Sequence, residues 1–171
     1  IFNIKGIGTV LGGHLLSGEI KINEVLKLGP INKKGEFENI TVKSIHVKKV
    51  PVLSAIADKY VCLAIKIKPE IKNLLRHGQV VLNKDNNTKG SYEFTAEVNI
   101  IKTHSTSIKV GYEPVIHTRN IRQTCKIIKI EGKKCARKIN NDQILRTGDS
   151  AIIKFRFKFR PEYIKEGYNL L

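Results

Sequence analysis

With 171 residues and a formal net charge of +16, the chain has room for one large or two small domains and an electrostatic preference for a polyanionic partner. The excess is shared, with 14 basic and 7 acidic residues (+7) through Thr88 and 17 and 8 (+9) beyond it; either both halves meet phosphate or the whole sequence reflects lysine-rich coding. No apolar run reaches the ~18 residues of a membrane span, and Cys62, Cys125 and Cys135 are too far apart for a disulfide framework or a zinc site.

The chain opens on a strand-like Ile1-Phe2 with neither a methionine nor a signal peptide before it, and reads as a cytoplasmic segment excised from something longer. Gly6 and Gly8 bracket Ile7 where a strand must bend, since glycine enters positive φ without steric cost. Thr9 to Leu16 is a β-prone run, and Ser17-Gly18 before Ile20-Lys21-Ile22 predicts a hairpin. Strands are expected over Phe37 to Lys48, Tyr60 to Lys66 and Gln79 to Leu82. Pro69-Glu70 opens one short helix with Ile71, Leu74 and Leu75 on a face and Gly78 as its stop.

Asn83 to Gly90 has no apolar residue and many turn formers, which places a boundary between domains 1–88 and 89–171. Beyond it, Tyr92 to Lys102 puts Phe94, Ala96, Val98 and Ile100 on one side of a strand. Gly111 to Pro114 turns into Val115 to Thr118, Ile121 to Ile130 is a further strand, and Lys133 to Asn141 is a basic loop. Thr147-Gly148-Asp149 then leads into Ala151 to Arg160. In this last strand Phe155, Phe157 and Phe159 point one way and Lys154, Arg156, Lys158 and Arg160 the other, either as a phosphate stripe or, the reading preferred here, as a solvated face. The fold class is all-β: two consecutive antiparallel β-barrels with one short helix.

No G-x-x-x-x-G-K-[ST] loop occurs, Asn83-Lys84-Asp85-Asn86 lacks the final aspartate of a guanine-reading motif, and no nucleophile has a base and orienting acid at recognisable spacing. The segment is expected to have no catalytic, cofactor or metal site, the five histidines showing no ligand spacing.

Phe2 to Gly13, with Ser17 to Glu24 and Leu26 to Pro30, resembles the opening of the second domain of translational GTPases of the elongation factor Tu type. Tyr92 to Val98, His104-Ser105-Thr106 with Gly111 to Pro114, and Leu145 to Asp149 are similar to elements of the third domain. Val42 to His46, Val50 to Val52, Ile121 to Thr124 and Phe155 to Phe157 with Pro161 to Tyr163 look like the eukaryotic GTP-binding-protein branch, which the family links to aminoacyl-tRNA handling and RNA surveillance. The resemblance implies translation-factor domains II and III, the last strand lying past Leu171.

It also implies site residues. A pocket for the 3′ adenosine of aminoacyl-tRNA has its first strand at Ile4, Gly6 and Val10; Ser44 stands where the family has an acid and Val47 where it has an arginine, leaving Lys48 and Lys49 to meet phosphate. In the second half His104, Arg119 and Thr124 fall at or near positions that meet the T stem, and Val115 replaces a polar residue. The segment then holds RNA, in the first instance aminoacyl-tRNA, for a GTPase domain of the same chain that carries GTP and Mg²⁺, with the ribosome as the larger partner. The alternative is a protein-interaction module for an exchange factor or an RNA-decay partner. A remoter one, an oligonucleotide-binding accessory domain, needs exposed aromatics on one sheet, for which Phe2, Tyr60, Tyr92 and Tyr112 are the candidates.

Overall fold

Period-two alternation of Val, Ile and Thr with Lys, Glu and Asn becomes strand almost wherever it occurs, because branched side chains pack well on a half-buried pleated surface. The structure, a computed structural model, describes residues 1–101, 107–134 and 144–171. Two units separate at Lys89 and Gly90, each around its own apolar core.

In the first unit, β1 (Phe2–Ile4), β2 (Gly8–Leu15), β3 (Glu19–Lys21), β4 (Val25–Gly29) and β5 (Glu38–Val47) are followed by β6 (Val50–Val52), β7 (Ser54–Ile56), β8 (Lys59–Lys66) and β9 (Val80–Asn83). They form a curled antiparallel sheet in the order β1-β2-β8-β5-β4-β9, with β6 against β5 and a small β3–β7 ribbon. Leu11, Leu28, Ile40, Val42, Ile45 and Leu63 fill its interior.

The expected hairpin at Ser17-Gly18 is not there. β2 pairs with β1 and β8, and β3 pairs with β7. The amides of Asp58 and Ala57 donate to the carbonyls of Leu15 (2.8 Å) and Gly18 (3.0 Å), so β2 and β3 run on alongside β7 and β8 through an irregular step. Gly18 supplies its φ of +79° to that step rather than to a reversal. The helix shortens to a 3₁₀ segment, Pro69–Leu74, with only Ile71 buried; it stops where Leu75 turns extended and donates its amide to the Lys72 carbonyl.

The second unit contains β10 (Glu93–Asn99), β11 (Ile108–Lys109), β12 (Val115–Thr118), β13 (Ile121–Lys134), β14 (Ile144–Leu145) and β15 (Ser150–Phe157). Its main sheet runs β10-β15-β13-β12, and β11 pairs with β14. Ile116, Ile121, Cys125, Ile127, Phe155 and Phe157 pack inside. β13 extends to Lys134, past the expected start of the basic loop, and the remainder of that loop lies outside the described residues. Phe159 does not join Phe155 and Phe157: it is 63% exposed, because the strand ends at Phe157 and the Gln123 Oε1 accepts the amides of Phe159 and Arg160 (3.0 and 2.9 Å).

Candidate nucleic-acid interface

Strand register gathers a face on the first unit. Phe2 lies opposite Val10, Val10 opposite Ala64 and Ala64 opposite Ser44, one row across β1, β2, β8 and β5. With strands ~4.8 Å apart, Val10 and Ser44 are separated by roughly 10 Å. The next row is Gly12, Cys62 and His46, and beyond it His14 faces Tyr60. Val10 is buried although it lies outside the core cluster. Ile4 is exposed at the end of β1, and Gly6 (φ +84°) forms the turn into β2, where the Ile7 amide donates to the Ile4 carbonyl at 3.1 Å. Thr9 Oγ1 donates to Asn3 Oδ1 at 3.2 Å and ties that turn down.

Two aromatic side chains flank this face beside the expected Ile4, Gly6 and Val10. Phe2 is 60% exposed with its ring over Gly12, where a Cβ would sit 3.5 Å from it. Tyr60 is 78% exposed and leans on His14, ring centroids 4.9 Å apart. Small residues between exposed rings leave room for a planar base and surfaces for it to stack on. Tyr92 and Tyr112 are half-buried against the second core, Tyr92 with the Arg156 guanidinium 5.8 Å from its ring. Of the four candidate stacking residues, the exposed pair, Phe2 and Tyr60, thus belongs to the first unit.

Ser44 and His46 lead up β5 to Lys48 and Lys49, which form the exposed tip between Val47 and its partner Val50. In the second unit Thr118 pairs with Ile121, so Arg119 likewise occupies a hairpin tip, at φ +50°, with its guanidinium 5.3 Å from the Tyr168 ring. Burial raises the Tyr168 hydroxyl pKa, helped by Tyr163, with Arg119 opposing. Thr124 is half-buried on β13 between the exposed Arg122 and Lys126, opposite Val115, while His117 lies opposite Arg122. Arg122 and His117 therefore extend the surface begun by Arg119 and Thr124, whereas Lys126 lies opposite Arg156 of β15 and its charge helps to lower the Glu113 pKa. The signal for them in the sequence is the buried phase of Ile121, Gln123, Cys125 and Ile127, which leaves the even-numbered positions outward. His104 lies outside the described residues.

The cations of β15 and its extension are occupied. Lys154 reaches Glu93 at 2.7 Å and Arg156 reaches it at 3.4 Å; Lys158 reaches Glu113 at 2.6 Å and Arg160 reaches Glu162 at 3.2 Å. The Lys154 hydrogen bond holds the Glu93 carboxyl below its ordinary range, and Lys158 does the same for Glu113. Each of these four cations thus has a carboxylate within reach, Lys154 and Arg156 sharing Glu93, as a solvated, ion-paired face would have. Lys48, Lys49, Arg119 and Arg122 have no carboxylate partner among the described residues. Nor do any three His, Cys, Asp or Glu side chains gather at metal-binding spacing among those residues.

Two curled β units, the first with a small-residue face and both with cationic hairpin tips, define a barrel pair of the translation-factor class. Residues 87–166 match the family model of the elongation factor Tu C-terminal domain. The chain is 38% identical over 164 residues to GTP-binding protein 1 of Xenopus laevis, covering 95% of this chain and 23% of that protein. It is 32% identical to GTP-binding protein 2 of Homo sapiens over 171 residues (100% and 26%), and 30% identical to elongation factor 1-alpha of Archaeoglobus fulgidus over 158 residues (90% and 36%). Residues 87–166 thus belong to the elongation factor Tu C-terminal domain family, and the chain as a whole is similar to these GTP-binding proteins and elongation factors, spanning about a quarter to a third of their length.

Proposed function

We propose that the chain is the RNA-holding part of a translational GTPase, its natural ligand an aminoacyl-tRNA or a similarly structured RNA. What carries this reading is the division among the cations: those on β15 are matched to carboxylates, and those at the β5–β6 and β12–β13 tips are not. Unmatched exposed cations gain from phosphate through counterion release, whereas a matched pair must first be broken. The second unit offers donors such as Arg119, Arg122 and Thr124, suited to the backbone of helical RNA, and the first offers a base-sized face beside Lys48 and Lys49. In this reading the GTP and its Mg²⁺ belong to a GTPase domain elsewhere in the parent chain, which works in the cytoplasm with the ribosome and signals its nucleotide state through the barrels. Titration with a labelled tRNA from low to moderate salt tests it: affinity falling steeply with salt supports the reading, and absent binding at low salt removes it.

One observation favours a protein partner instead. Leu53 is 82% exposed between β6 and β7, and Leu16 and Ile56 are exposed on the same unit. Capture of an exchange or decay factor through such residues would be insensitive to salt and abolished by Leu53→Asp.

A further inference from the structure

The polar run from Asn83 to Gly90 divides the units in the sequence, yet most of it is built into the first one. β9 ends at Asn83, whose Oδ1 accepts the Asp85 amide (3.0 Å) while its carbonyl accepts the Asn86 amide (3.1 Å), a turn that reverses the chain. Asn86 repeats the device, its Oδ1 accepting the Thr88 amide at 2.9 Å and the Thr88 hydroxyl as well. Lys27 fastens the result. Leu26 and Leu28 are buried, which turns Lys27 of β4 outward, opposite Leu82 of β9. From there the half-buried lysine donates its ammonium hydrogens to the Asn86 carbonyl (2.8 Å) and to Asn87 Oδ1 (3.1 Å). Among the described residues no carboxylate competes for it. On the other side, Ser91 and Glu162 exchange both backbone hydrogen bonds (2.9 and 3.1 Å), and the Glu93 amide donates to Ser91 Oγ at 3.1 Å. Only Lys89 and Gly90 then remain between the fastened ends, neither with a hydrogen bond among the described residues.

We propose that Lys27 is the latch of the connector between the two units: its ammonium holds residues 84–88 on the first unit and leaves only Lys89 and Gly90 as a free crossing. Such a crossing spans at most about 7 Å, whereas release of the stretch 84–90 would let it reach about 25 Å. The consequence for function rests on the RNA-holding reading above. Where both units hold one RNA, the second contact forms at an effective concentration set by the tether, which falls roughly as the −3/2 power of tether length. Lys27 thereby governs affinity without touching the ligand.

Backbone amide exchange followed by NMR tests the latch on the parent chain, on Lys27→Met, which keeps the stem and loses the donors, and on Lys27→Arg, which keeps a cationic donor. In the parent the Asp85, Asn86 and Thr88 amides are expected to be protected and those of Lys89 and Gly90 to exchange nearly as in a free chain. In Lys27→Met, protection at Asn86 and Thr88 is expected to fall about tenfold or more while β4 and β9 keep theirs, and Lys27→Arg should retain most of it. Parental protection in Lys27→Met, or a parent in which Asn86 and Thr88 exchange as fast as Gly90, overturns the latch. Anisotropy of a fluorescein-labelled tRNA transcript across a potassium chloride series reads the consequence. Lys27→Met is expected to bind roughly fivefold more weakly, with the parental slope of log affinity against log salt. A slope flatter by about 0.9 would make Lys27 itself a phosphate contact and overturn its role as a latch. Parental affinity despite lost protection overturns the effect on binding and leaves RNA holding intact. A parent that binds no tRNA overturns the RNA-holding reading, while the exchange pattern still decides the latch.

Discussion

Gln123→Leu removes a polar hub of the second unit at nearly constant volume. Gln123 is buried on β13, its Oε1 accepting from the Phe159 and Arg160 amides while its Nε2 donates to the Arg160 carbonyl (3.2 Å) and to Glu162 Oε1 (3.0 Å). Loss of the bond to Glu162 is the largest cost, since that carboxylate is also buried and a hydrogen bond to a charged group contributes about 1.5–3 kcal/mol. The two amides belong to exposed residues and recover water, so they add about 1 kcal/mol together. The total is about 2.5–4 kcal/mol, and for a unit of this size each kcal/mol lowers the midpoint by roughly 4–8 °C, giving a fall of about 10 °C or more. Calorimetry of the chain reads it directly. Gln123→Leu/Glu162→Leu should recover part of the loss, because the buried charge leaves with its partner and the half-exposed Arg160 turns to solvent. A single variant within about 1 kcal/mol of the parent, inside the range of one neutral hydrogen bond, would refute the hub.

Other residues give sharper local tests. At Gly29 an added Cβ would lie 2.7 Å from the Phe37 ring and 3.1 Å from the Glu36 carbonyl, so Gly29→Ala should cost about 1–3 kcal/mol by overpacking; an unchanged denaturation midpoint would contradict this close approach. Burial first, and the Glu162 charge second, push the Cys125 thiol up to about 12, whereas Cys62 is exposed. In a Cys135→Ser background, iodoacetamide near pH ~8 should label one thiol of the native chain, and prompt double labelling would refute the burial. Because the Lys154 bond lowers the folded pKa of Glu93 beneath the ordinary 4.5, that pair contributes above the unfolded value and its contribution disappears as pH falls through the folded one. A carboxyl titration by NMR should find the Glu93 midpoint below 4.5, with Lys154→Ala returning it further than Arg156→Ala; a midpoint at or above 4.5 would undo the ion-paired face.

Alternation makes the strands legible, and with them the outward phase of β13 from which Arg122 and Lys126 follow. The path of the chain after Gly18 is not legible in the same way, because a left-handed glycine serves an irregular step and a reversal equally well; the difference lies in pairing with Ala57 and Asp58, far along the chain. Alternation makes Lys154, Arg156 and Lys158 a solvated face but not their partners: register brings Glu93 and a turn brings Glu113 to them, and neither approach has a local signature. Family resemblance singles out Lys48 and Lys49, but no lysine pair announces positive φ. Family resemblance singles out Val10 and Ser44, and their common row depends on Ala64 of β8 lying between them.

The division between free and matched cations is tested most directly by charge reversal under a salt series. Lys48→Glu/Lys49→Glu in the first unit and Arg119→Glu in the second should each weaken tRNA binding and flatten its salt dependence, by up to about 0.9 for each phosphate no longer neutralised. Lys154→Glu/Lys158→Glu, on the face already paired with Glu93 and Glu113, should change binding far less. Equal weakening by all three variants would mean that the chain attracts RNA only through its net charge of +16, and the hairpin tips would not be a site.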